Sequence, residues 1–355
     1  MESNHDAPVK HGGNFIPSIA VAIALYLSGF FVILTPLPFL YQFLRNFKQG
    51  FVTVVLPSFM ILIFLYSIGL MPLYQFYQAY PQWSWILPIP GMGFLQFLNP
   101  TWVFIFGLSY FSFYILSAWV MSSVIVGHYN PAKHFLGASF LLALLVIVYV
   151  LGVFIFLKIN PQPVLIDYFQ GSVNEFILIQ KQKGLPLEQL DFLKQNAALV
   201  VKYSIMVSPA AIVCGTFFVL VLNLVIGKKL FGLFPAAQKR TQITSWAIPF
   251  AGVWVLIVSI LGLFFGNELP YSSLVIAISA NVTLILAFLY YLQGVAIIAF
   301  FLDQWGVRSF IKLLIYIILL LFFQSVGVLV VLLGFFDSWL ELRKKALKLK
   351  TPNGD

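Results

Sequence analysis

From Gln49 to Ala132 the chain runs for 84 residues without a single Asp, Glu, Lys or Arg. About 20 consecutive apolar residues carry a helix through the ~30 Å hydrocarbon core of a bilayer, so this one stretch has room for several crossings. Inside lipid the backbone must satisfy its own hydrogen bonds, which leaves helices and closed barrels as the spanning forms. The apolar runs are rich in Leu, Ile, Val and Phe and do not alternate, which points to helices. The rest of the chain agrees: 61% of its 355 residues are hydrophobic and 9% charged, against roughly 25% charged in soluble domains. The expected fold class is all-α, a polytopic transmembrane helix bundle.

Long helices are expected at 15–34, 51–71, 101–126, 135–157, 203–226, 247–265, 273–302 and 313–336. Cytoplasmic loops collect Lys and Arg, and eight crossings leave either the basic tail (Arg343, Lys344, Lys345, Lys348, Lys350) or most other basic loops on the wrong face. A short return helix at Pro36–Phe47 is the expected remedy. Thr35-Pro36-Leu37-Pro38 breaks the first helix there, and proline is tolerated in a first turn, where its missing N–H would be unbonded anyway. The expectation is about nine crossings with both termini cytoplasmic. It divides the chain into a tail 1–14, a bundle 15–336 and a basic tail 337–355 at the interface, drawn to anionic lipid.

Two segments are expected on the far side. Residues 71–100 hold no charge but five prolines and many aromatics, a composition suited to the headgroup level. Residues 158–202 read as two amphipathic helices, with Ile166, Phe169, Val173, Phe176 and Ile177 and then Leu187, Leu190, Leu193 and Ala197 at helical spacing. Gly184-Leu185-Pro186 punctuates between them.

The net charge of +9 is dispersed in short clusters between apolar runs, so no nucleic-acid partner is expected; the partners are the bilayer and other membrane proteins. The chain has no phosphate-binding G-x-x-x-x-G-K-[ST], no H-E-x-x-H and no cysteine pair. Cys214 stands alone, and His5, His11, His128 and His134 fall in the N-terminal tail or a short inner loop. No catalytic residue, metal site or cofactor is expected, and the chain is read as no enzyme.

Uncharged polar residues at depth carry the remaining chemistry. Asn223, Asn281, Gln293 and Gln324, with Trp254, Tyr290 and Tyr291, are candidate ligands for a neutral or aromatic molecule; the alternative is that they hold the bundle together by interhelical hydrogen bonds. In the first helix Ala20 and Ala24, and separately Ser18 and Ala22, form small-x-x-x-small pairs that let another helix approach, either inside the bundle or from a partner. Asp337 ends the last expected helix, and Arg308 or Lys312 is its expected ionic partner.

Several elements occur in a telling order: Ser208-Pro209-Ala210 opening a helix that ends Leu222-Asn223, then Trp246-Ala247-Ile248-Pro249, Leu289-Tyr290-Tyr291-Leu292-Gln293-Gly294 and Gly334-Phe335-Phe336-Asp337 with Arg343. In this the chain resembles the YybS-like family of predicted bacterial inner-membrane proteins of unknown function, and more distantly the S components of energy-coupling-factor transporters. The second resemblance implies a docking face at Ala20 and Ala24, a short second helix, and a substrate-binding subunit energised by a transmembrane coupling protein with ATPase subunits. An accessory or scaffold subunit of an envelope complex, working through 158–202 and the basic tail, is the competing expectation.

Overall fold

The structure, a computed structural model, describes residues 15–29, 31–79, 100–126, 131–158, 160–231 and 247–350. The tail 1–14, most of the aromatic segment 71–100, His128, Trp246 and the last five residues lie outside them. Every regular element among the described residues is helical: α1 (Ile16–Leu27), α2 (Pro36–Gly50), α3 (Leu56–Ala79), α4 (Pro100–Val126), α5 (Pro131–Phe156), α6 (Pro161–Gln182), α7 (Leu187–Phe231), α8 (Ala251–Phe265), α9 (Ser272–Gln304), α10 (Ser309–Leu321), α11 (Phe323–Leu340) and α12 (Leu342–Lys350). Seven helical stretches among them are long and apolar enough to cross a membrane. They are 32–69, 104–125, 134–156, 188–227, 251–268, 272–304 and 323–340; 16–27 and 309–319 are apolar but shorter.

The chain forms two compact units, residues 1–138 with 218–235 and residues 139–217 with 236–355. In the first, the short second helix exists. Asn46 leaves helical geometry (φ −161°, ψ 107°), and its side chain accepts the Gln49 N–H at 3.1 Å to start the next turn, as an N-cap does. The chain folds back so tightly that a Cβ on Gly50 would stand 3.0 Å from Gln42 Cβ. Pro36, Leu37, Pro38, Phe39 and Leu40 are buried in succession, so protein surrounds α2 here on all sides. Around it Tyr26, Phe39, Phe59 and Phe111 pack edge to face at 4.9–5.6 Å between ring centroids, an arrangement favoured by the ring quadrupoles.

The two small pairs of α1 part company. Ala22 is buried and Ser18 accepts a hydrogen bond from Gln42 Nε2 at 2.7 Å, while Ala20 and Ala24 face outward.

In the second unit α8 and α9 form a hairpin through a turn at Gly266–Glu268. Thr283 donates to Ser259 Oγ at 2.9 Å across it. The pair of helices expected on the far side forms as expected at its start. Asn160 caps α6 by accepting the Gln162 N–H, and Gly184, at φ +78°, ends it with Leu185 N–H returning to the Gln180 carbonyl, a Schellman closure.

The expected boundary at 202 is absent. Nothing between Leu187 and Ser208 breaks a helix, and α7 continues through Pro209 for 45 residues. Ser208-Pro209-Ala210 therefore lies inside a helix and does not open one. The expected single helix 313–336 is also two, α10 and α11, interrupted at Phe322.

One further expectation falls on arithmetic alone. An odd number of crossings places the termini on opposite faces, so nine crossings and two cytoplasmic ends exclude each other.

Candidate functional site

The polar side chains of the second unit are organised by α9. Its approach to α11 is backbone against backbone. A Cβ built on Gly334 would fall on the Tyr290 carbonyl oxygen, and one on Gly294 would fall on the Val330 carbonyl oxygen. Small residues are what membrane helices use to come this close. Tyr290, fully buried, packs edge to face on Phe335 at 5.4 Å and sits in an apolar cluster with Val253 and Leu256.

That contact brings Gln293 to Asp337. Gln293 Nε2 donates to Asp337 Oδ2 at a long 3.4 Å, and its Oε1 accepts the Ile248 N–H at 2.9 Å. Asp337 Oδ1 accepts the Leu342 N–H at 2.9 Å, and Oδ2 takes Arg343 Nη2 at 2.8 Å. With side chains 6% and 13% exposed, this is a buried ion pair whose carboxylate oxygens are both engaged.

Arg308 and Lys312 are not its partners, contrary to expectation. Lys312 pairs with Asp303 instead, and the Asp337 carboxylate is held by Arg343. Arg343 reaches Asp337 because Glu341 takes a left-handed conformation (φ 47°) between α11 and α12, which turns the first residues of α12 back onto the carboxylate.

The other deep amides also bind backbone. Asn281 Nδ2 donates to the Met206 carbonyl and its Oδ1 accepts the Ala210 N–H, both at 2.8 Å. Between those two residues Pro209 supplies no N–H and its ring crowds the preceding turn. Ser208 Oγ covers the Ile205 carbonyl that Pro209 cannot reach. Tyr291 donates to the Leu319 carbonyl at 3.0 Å, the acceptor left over at the α10–α11 break.

Asn223 belongs to the first unit. It donates to the Ile33 carbonyl at 2.7 Å, three residues before Pro36. Trp254 is 59% exposed and Gln324 is exposed. The six candidate ligands of the second unit thus do not converge. Gln293 bonds to Asp337 and Tyr290 packs on Phe335, Asn281 and Tyr291 serve separate helix breaks, and Trp254 and Gln324 face outward.

The arrangement has one recurrent chemistry. Asn223, Asn281 and Gln293 each hold a backbone group beside a proline, at Pro36, Pro209 and Pro249. An unpaired peptide group in an apolar medium is costly, and neighbouring side chains are the usual remedy in membranes. Among the described residues no three of His, Cys, Asp and Glu gather as metal ligands.

Three contributors are not among the site residues expected from sequence, although Ile248 and Arg343 stand in the motifs quoted there. Tyr26 donates to the Gly107 carbonyl and fills the first unit's core. The Ile248 N–H and the Arg343 guanidinium complete the Asp337 cluster. A Tyr26–Gly107 contact leaves no local pattern, and a separation of six is not a helical neighbour distance.

Residues 95–338 match the family model described as predicted membrane protein (DUF2232). The chain belongs to that family. No curated protein and no solved structure matches it. The family match takes in α4 through most of α11, and with them the Asn281 clasp and the Gln293–Asp337 contact; α1, α2 and α3 precede it, and Arg343 follows it.

Proposed function

We propose that this DUF2232 protein is a non-catalytic, multi-pass subunit of a bacterial inner-membrane assembly and that it works by holding another membrane protein. The observation that carries this reading is the outer helical pair. At 1.5 Å per residue α7 is about 68 Å long, more than twice the hydrocarbon thickness, so roughly half of it stands clear of the lipid. That half and α6 expose Phe176, Leu178, Phe192 and Tyr203, from 49% to 66%. Apolar side chains exposed on helices outside hydrocarbon mark an interaction surface, here for an integral membrane protein with an apolar extracytoplasmic segment. The use of Asn281 and Gln293 as backbone clasps speaks for the same reading, since the nitrogen and oxygen of both carboxamides are engaged within the bundle.

A topology follows from it. Ile248 and Asp337 bond to the same Gln293, which supports the start of α8 and the end of α11 lying at one level. The path α10–α11 then adds no net crossing. Eight crossings by α1–α5 and α7–α9 keep both ends cytoplasmic, with α6 outside, in keeping with the basic residues at Lys228, Lys229 and α12.

Deleting residues 165–198 tests the role of the outer pair. Loss of a co-purifying membrane protein, with the deleted chain still inserted and monodisperse, is the expected result; undiminished capture removes the outer pair from the account.

A second reading, a substrate-binding subunit energised by separate ATPase partners, is favoured by the outward Ala20 and Ala24 beside a genuinely short α2. A ligand-dependent rise in melting temperature across a vitamin and nucleobase panel would select it.

A further inference from the structure

We propose that α12 is a binding helix for anionic phospholipid, seated by the Asp337 cluster. This inference is separate from the outer holding surface and uses the opposite end of the second unit. Leu342-Arg-Lys-Lys-Ala346-Leu-Lys-Leu-Lys350 places Leu342, Ala346 and Leu349 at i, i+4 and i+7, one stripe of a helix, with Lys344 and Lys348 across from it by register. Leu342 and Ala346 are half-buried while Lys344 and Lys345 are exposed.

Five cations in nine residues cannot rest in hydrocarbon. Yet α12 begins two residues after a helix long and apolar enough to cross a membrane. The headgroup layer is the environment that satisfies both conditions.

The charges nearby are already apportioned. Asp337 holds Arg343, and Glu341 holds Lys344 at 2.7 Å. Beyond Glu341 the sequence contains no acid until Asp355. Lys344 and Lys345 both stand within four residues of the single acid Glu341, and Lys348 and Lys350 have no acid within four residues in sequence, so α12 carries a surplus of positive charge that matches a phosphodiester surface. The Leu342 N–H and the Arg343 guanidinium are both bonded to Asp337, so the first turn of α12 is held against the end of α11.

The test uses the full-length protein carrying Cys214→Ala and Ala346→Cys, labelled with a fluorophore and placed in nanodiscs of mixed phosphatidylcholine and phosphatidylglycerol, with one or the other lipid brominated. Brominated phosphatidylglycerol is expected to quench several-fold more than brominated phosphatidylcholine at equal mole fraction. Changing Lys345, Lys348 and Lys350 to Gln should lower that preference by up to about fivefold per lysine. About 1 M salt, where the screening length shrinks to ~3 Å, should do the same.

Equal quenching by the two lipids at low salt overturns the proposal. So does quenching by neither, which would mean that protein or water covers α12. Inorganic phosphate should leave the preference as it is at matched ionic strength in chloride; displacement by phosphate alone would assign the lysines to a free anion and overturn the lipid claim.

Discussion

Asn281 repairs the helix that Pro209 breaks: its carboxamide sits between the Met206 carbonyl and the Ala210 N–H, donating to one and accepting from the other at 2.8 Å. The two residues are on different helices, Asn281 on α9 and Pro209 on α7.

If Asn281 exists to satisfy the kink, its value must depend on Pro209. Asn281→Ala leaves two buried backbone groups unpaired and is expected to cost about 1–3 kcal/mol. In a Pro209→Ala background, where α7 can restore its own hydrogen bond, the cost should fall, with a coupling of about 0.5–3 kcal/mol. A thermal-denaturation double-mutant cycle in detergent measures it, and additive losses would mean that Asn281 acts elsewhere.

The α9–α11 contact gives a second test. Gly334→Ala drives a methyl group onto the Tyr290 carbonyl and should destabilise the fold by about 1–3 kcal/mol or more. Gly152→Ala, whose Cβ would meet nothing within 4 Å, should leave the melting temperature unchanged or slightly raised, since alanine is the better helix former.

Removing Arg343 strands a buried carboxylate. Arg343→Met is expected to cost about 3–5 kcal/mol, and combining it with Asp337→Leu should recover most of the loss. Lys312→Met breaks a pair whose acid is more than half exposed and should cost under about 1 kcal/mol. Melting curves of the three variants beside the parent protein separate these outcomes; equal damage from Lys312→Met would restore Lys312 as the important cation.

Much of the architecture is legible in the sequence because one force writes it. Long uncharged runs specify spanning helices, and Pro36 with Pro38 marks the short second helix that the structure places at α2. The turn at Gly184 is equally plain, since its φ of +78° suits glycine. What the sequence conceals is pairing at a distance. Asn223 and Ile33 lie 190 residues apart, Asn281 and Ala210 lie 71 apart, and Gln293 and Ile248 lie 45 apart. No periodicity links such partners, so these amides read equally as ligand groups or as clasps. Asp337 misled for a different reason. A left-handed residue is expected at glycine or asparagine, and here it is Glu341, so the turn that brings Arg343 back has no signature. The continuity of α7 was missed because the charges of its first half suggested a loop, although charge does not end a helix.

The reading of this protein as a holder of partners is tested most directly in intact cells, with a photo-reactive amino acid in place of Phe192 on α7. Phe192 is 66% exposed on the N-terminal half of α7, the half that the proposed arrangement puts outside the hydrocarbon. The account predicts one discrete, ultraviolet-dependent adduct to another membrane protein, lost on deleting the partner and absent when the same amino acid replaces Trp254. Adducts to lipid alone, or a pattern at Phe192 indistinguishable from that at Trp254, would contradict it.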